Sequence, residues 1–171
     1  ARVALLVVLN ENWTIEPTII GQSQHNTGFF GYEPSVGNNQ YQRFGPDVDD
    51  DNWVQAALTV TGKLGKYDLT YSGGYFWRKV DQRTDYTDYS IMYDAVFGSG
   101  NYWQDGAGNP LARPQQTIYG HDRFWKESNE ARIASPASDR FRFIGGVFQE
   151  QQEHWIIQDY VIPGLGQQIS V

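Results

Sequence analysis

The sequence predicts an all-β fold: an antiparallel, up-and-down sheet of about six strands, forming an incomplete transmembrane β-barrel. Three observations carry this. Residues 67–80, YDLTYSGGYFWRKV, place Tyr67, Leu69, Tyr71, Gly73, Tyr75 and Trp77 at odd positions and Asp68, Thr70, Ser72, Gly74, Phe76 and Arg78 at even ones. Side chains alternate along a strand, so one face is aromatic and apolar and the other mostly small or polar. Extended, the run reaches about 45 Å, longer than the roughly 9–11 tilted residues that cross a bilayer. Second, turns of about three residues alternate with two loops of roughly 25 and 45 residues, as expected when turns gather on one side of a membrane and long loops on the other. Third, the composition is 15% aromatic, with 11 Tyr, 9 Phe, 6 Trp and 18 Gly. That suits strands flanked by aromatic girdles.

In chain order, the first strand is the apolar run at 2–9, followed by a polar turn at 10–12. The second strand, 13–24, carries Trp13, Ile15, Pro17 and Ile19 on one face; Pro17 weakens it, because proline cannot donate to a ladder. Residues 25–52 read as a loop. Strand 53–63 puts Val54, Ala56, Leu58 and Val60 opposite Gln55, Thr59, Thr61 and Lys63, and Leu64, Gly65 and Lys66 turn it into the 67–80 strand. Residues 81–125 read as a second long loop. Strand 126–135 separates Glu130 and Arg132 from Ala131 and Ile133. After a turn at 136–138, strand 139–152 sets Phe141, Phe143, Gly145 and Val147 against Arg140, Arg142, Gly146 and Glu150. A weak repeat aligns Leu69–Phe76 with Phe141–Phe148 through Gly-Gly, as an array of hairpins would. In a membrane, the short turns would be periplasmic and the long loops extracellular, with Trp53 and Trp77 near the outer interface and Trp13 near the inner one.

The chemistry that the residues exclude is broad. Net charge is -7, from 13 Lys plus Arg against 20 Asp plus Glu, which is unsuited to nucleic acid. Cys is absent, removing disulfides, thiolate metal sites and cysteine nucleophiles. No apolar run reaches the roughly 18 residues of a membrane helix. The acidic residues Asp47, Asp49, Asp50 and Asp51 fail the EF-hand spacing, since Asn52 and Leu58 stand where Gly and Glu are needed; they read as a solvated turn or as a site facing surface lipopolysaccharide cations. His25, His121 and His154 form no metal-binding spacing, and no nucleophile motif occurs. The expectation is no enzyme activity, no cofactor and no metal site. Polar-face charges Arg78, Glu130, Arg132, Arg140, Arg142 and Glu150 would face a barrel lumen, pairing across strands or guiding an anionic ligand. Loop aromatics Tyr32, Tyr41, Tyr89, Tyr93, Tyr102 and Trp103 are candidates for ligand stacking, with packing against one another as the alternative.

Residues 126–152, KESNEARIASPASDRFRFIGGVFQEQQ, carry Glu130, Arg132, Ser135, Pro136, Phe143, Gly145, Gly146 and Phe148. This pattern resembles a barrel hairpin of TonB-dependent outer-membrane receptors, especially the iron-complex type. Residues 66–90 and 11–22 are similar to two further strands of that family. The resemblance covers the strand portions, about 2–24 and 53–152, and little of the loops. It implies residence in the outer membrane of a Gram-negative bacterium and contact with outer-membrane lipid. It also implies uptake of a large scarce solute, first a ferric siderophore and after it haem, cobalamin or an oligosaccharide, driven by the TonB complex through a plug domain. Family members carry a plug inside roughly 22 strands, so residues 1–171 read as a partial barrel whose plug and remaining strands lie elsewhere. Two other functions fit an all-β chain: a soluble carbohydrate-binding module, or a structural outer-membrane barrel within a larger assembly.

Overall fold

The computed structural model describes residues 1–97, 104–111 and 115–166, with the side chains of Tyr93, Asp94 and Phe97 outside the description. Among the described residues, seven strands form one antiparallel sheet that does not close. They are β1 (Arg2–Ala4), β2 (Val7–Asn10), β3 (Trp13–Thr27), β4 (Val48–Leu64), β5 (Tyr67–Asp85), β6 (Thr117–Ala134) and β7 (Ile144–Val161). One helix, α1 (Thr87–Phe97), follows β5. The sheet order is β1-β3-β4-β5-β6-β7, with β2 also paired to β3.

β1 and β2 occupy a single edge position. Ala4 faces Thr18 and Val7 faces Ile15, so the register is the same on both sides of the break. The break lies opposite Pro17. Leu5 N–H still donates to the Pro17 carbonyl at 3.0 Å, but proline has no N–H to return the bond. The seven strands are therefore about six in ladder terms, as the sequence predicts.

Contacts divide the chain into two compact units: 1–23, 51–79 and 122–155 in the first, and 24–50, 80–121 and 156–171 in the second. Unit 1 holds the turn-side parts of the sheet. The β4–β5 turn is two residues, Gly65 and Lys66, with Gly65 at φ 61°; glycine at the first position is what this hairpin twist requires. Among the described residues, the buried apolar side chains are Val80 and Ile118, both in unit 2, so unit 1 buries none. Leu58, Tyr71, Tyr75 and Trp77 are instead exposed along one face of unit 1.

On that face the Trp13 indole lies over Gly62, where an added Cβ would fall inside the ring; at Gly145 an added Cβ meets nothing within 4 Å. Gly62→Ala should therefore cost about 1–3 kcal/mol by forcing Trp13 off its seat, and Gly145→Ala should be close to neutral. Equal unfolding midpoints for the two variants would refute this packing.

Several boundaries differ from the sequence reading. β4 begins at Val48, inside the acidic run, so Asp49, Asp50 and Asp51 are strand residues rather than a solvated turn. β5 and β6 extend into the segment read as loop, and α1 occupies part of it. The β6–β7 connection is longer than three residues: it spans 135–143, closed by Ser135 N–H to the Phe143 carbonyl at 3.0 Å and Phe143 N–H to Ser135 Oγ at 2.9 Å. Arg140, Phe141, Arg142 and Phe143 thus belong to a connection, and Phe141 is 83% exposed.

Candidate functional site

In unit 1, side chains two apart on a strand share a face, and cross-strand contacts tie the faces of β4 to β7 together. On the polar face, Arg78 grips Asp51 through both arms of its guanidinium, at 2.8 and 2.7 Å. Lys126 pairs with Glu150 at 2.9 Å, and Arg132 with Glu130 at 2.8 Å. Arg78, Glu130, Arg132 and Glu150 therefore occupy the predicted face, each holding an opposite charge. Arg140 and Arg142 do not join them, because the strand begins only at Ile144 and both lie in the preceding connection.

The polar face also carries a row of rings that sequence reasoning missed. Trp53 meets Phe76 at 5.9 Å between centroids, Phe76 meets Phe124 at 5.8 Å, and Phe124 meets His154 at 5.6 Å. The row crosses β4, β5, β6 and β7 in succession. It also corrects the placement of Trp53. Phe76 and Trp77 are neighbours in one strand and point to opposite faces, so Trp53, which packs on Phe76, cannot share an interfacial girdle with Trp77.

The opposite face changes character between β5 and β6. The Tyr71 hydroxyl donates to Asn129 Oδ1 at 2.6 Å; Asn129 Nδ2 donates to Glu127 at 2.9 Å and to Gln149 at 3.1 Å. Trp125 Nε1 donates to Glu153 at 3.0 Å. These polar groups interrupt the apolar surface of that face on β6 and β7, with Glu127 and Asn129 beside Leu58 and Tyr75.

Unit 2 contains a buried polar latch. Asp85 Oδ2 accepts from the Phe44 and Gly45 amides at 2.6 and 2.8 Å, and Oδ1 from the Thr87 amide and hydroxyl at 3.1 and 2.6 Å. Thr87 is the first residue of α1, so Asp85 also satisfies a free amide at the helix start. Asp47 Oδ1 accepts from the Asp85 amide at 2.9 Å, and Arg43 Nε donates to Asp47 Oδ2 at 3.1 Å. The Thr87 hydroxyl accepts from the Gln116 amide at 3.0 Å. Burial pushes the Asp85 carboxyl up, but the bonds from Thr87, Gly45 and Phe44 outweigh it and hold the group below its ordinary 3.8. The latch is a fastening: its carboxylates already hold cations or amides. In the acidic run, Asp50 pairs with His25 at 2.6 Å. Among the described residues, no group of three His, Cys, Asp or Glu is placed to hold a metal ion.

Three of the six loop aromatics, Tyr32, Tyr41 and Tyr89, have described side chains. Tyr41 packs edge-on against Phe29, with ring centroids 6.0 Å apart, and Arg43 lies over the Phe29 ring. Tyr89 is in α1 and stacks with Tyr86 at 4.8 Å. Tyr32 is 60% exposed. Tyr102, Trp103 and the Tyr93 side chain lie outside the described residues.

No family model matches this sequence, and neither a curated protein nor a solved structure is detectably similar to it. What the chain does must be read from its own two faces.

Proposed function

We propose that this chain forms part of the wall of a TonB-dependent outer-membrane receptor, which imports a large scarce solute and catalyses no reaction. The observation that carries this is an open up-and-down sheet whose unit 1 buries no apolar side chain among the described residues while presenting Leu58, Tyr71, Tyr75 and Trp77 outward. A water-soluble domain needs a core; a barrel wall buries its apolar face in lipid and its polar face in the lumen. Among the described residues β1/β2 and β7 have no outer partner, which agrees, since a sheet in lipid must pair every backbone group by continuing around a barrel. The motifs quoted above bring the outer membrane, the plug and the TonB complex into this reading, with a ferric siderophore as the first solute.

Residues 1–171 contain no cysteine, so single labels can be placed there once any cysteine elsewhere in the full-length protein is replaced. Single cysteines at 56, 58 and 60, and at 55, 57 and 59, would carry a nitroxide label in the full-length protein in lipid vesicles. Collisions with dissolved oxygen should be high at the even positions and collisions with a water-soluble nickel chelate high at the odd ones. Labels on both faces reporting water would defeat the membrane reading.

A further inference from the structure

We propose that the aromatic row Trp53–Phe76–Phe124–His154 binds a neutral oligosaccharide. This rests on the receptor reading and on the polar face being the lumen wall, and it puts a neutral oligosaccharide in place of the ferric siderophore as the solute. The row spans about 17 Å at most, counted from its centroid separations, enough to meet several sugar rings in succession. Trp53, Phe76 and Phe124 are half-buried and His154 is exposed, so the rings retain accessible surface.

The surroundings decide the class of ligand. The cations flanking the row are occupied, Arg78 by Asp51 and Lys126 by Glu150. A cluster built to draw in an anion would leave its cations open to it; here, each faces a carboxylate of the same wall. Beside the row, Gly74 leaves the sheet without a side chain, next to the Ser128 hydroxyl. Gln55 is exposed on the same face. Rings that offer apolar faces, set among paired charges, a hydroxyl and an amide, match the ring faces and hydroxyl edges of an uncharged sugar. The rings are tilted at 38°, 59° and 85° to one another. They therefore present a corrugated strip to successive rings rather than one flat platform for a single large planar ligand.

The test uses the full-length protein in detergent on a printed array of neutral and anionic oligosaccharides, with ferric tris-catecholate measured beside it by calorimetry. Wild type should bind at least one neutral glycan. Trp53→Leu and Phe124→Leu, which keep apolar bulk and lose the ring, should each weaken that binding about tenfold, while Trp77→Leu on the other face should leave it unchanged. The proposal is overturned if no neutral glycan binds, if only anionic ligands bind, or if the two ring variants bind as wild type does. The nitroxide experiment reads the lumen assignment separately, so a wall confirmed by labels with no glycan bound would sink this inference alone.

Discussion

Arginine at position 58 should destabilise the protein by about 2–4 kcal/mol in lipid, whereas Thr59→Arg should cost much less. Leu58 is 38% exposed in the chain itself. In water, an arginine at so open a site would change stability by only about 0.5 kcal/mol in either direction. A large cost therefore requires that something apolar cover the residue, which on the receptor reading is lipid. Leu69→Arg should behave as Leu58→Arg does. Urea unfolding of the full-length variants in phospholipid vesicles measures all three, and similar costs at 58 and 59 would remove the inside–outside assignment.

Asp85→Ala should open the latch in unit 2. The change strips the acceptor from the Phe44, Gly45 and Thr87 amides and the Thr87 hydroxyl. Each buried donor left unmet, the Thr87 amide and hydroxyl, costs about 1–3 kcal/mol; the part-buried Phe44 and Gly45 amides cost less, and the four are not independent. A local loss of about 3–5 kcal/mol is expected, which speeds hydrogen exchange at those amides at least about a hundredfold. The acid response has a definite sign. Because the folded Asp85 carboxyl sits below 3.8, its contribution is complete above the ordinary aspartate range and disappears as pH falls through the folded value. Exchange protection at Phe44 and Gly45, corrected for intrinsic rates, should thus be flat from neutrality to about pH 4 and fall below it. Protection that already declines between pH 7 and 5, or an alanine variant that exchanges like wild type, would show that Asp85 does not fasten this segment.

Alternation made the middles of the strands legible. Leu58 and Thr59, or Tyr75 and Phe76, could be assigned to opposite faces because one side of the sheet is apolar. The ends were not legible, because there the strands turn polar on both faces. Asp50 and Asp51 look like loop in isolation, and only their cross-strand partners His25 and Arg78 show why two carboxylates tolerate a strand. Alternation also overran at Phe141 and Phe143, since it records side-chain order and not whether a ladder exists. The latch joins Arg43, Asp47, Asp85, Thr87 and Gln116, which no local pattern relates. The ring row depends on register: Trp53 and Phe76 stand on different strands, and their meeting follows from how β4 and β5 align.

The lengths of the connections also order the events by which the sheet assembles. β4 and β5 are joined by two residues, while β3 and β4 are joined by the twenty at 28–47. Closing the longer loop costs about 2 kcal/mol more in chain entropy, by the logarithmic rule for flexible loops. Pairing of β4 with β5 therefore begins at Gly65 as a zipper in which each new rung is local, and this hairpin offers a finished edge to both neighbours. The rings of Trp53 and Phe76 close within that early hairpin. By the same rule the ring row closes pairwise, Trp53 on Phe76 within β4–β5 and Phe124 on His154 within β6–β7, before the longer connection between β5 and β6 joins the two pairs.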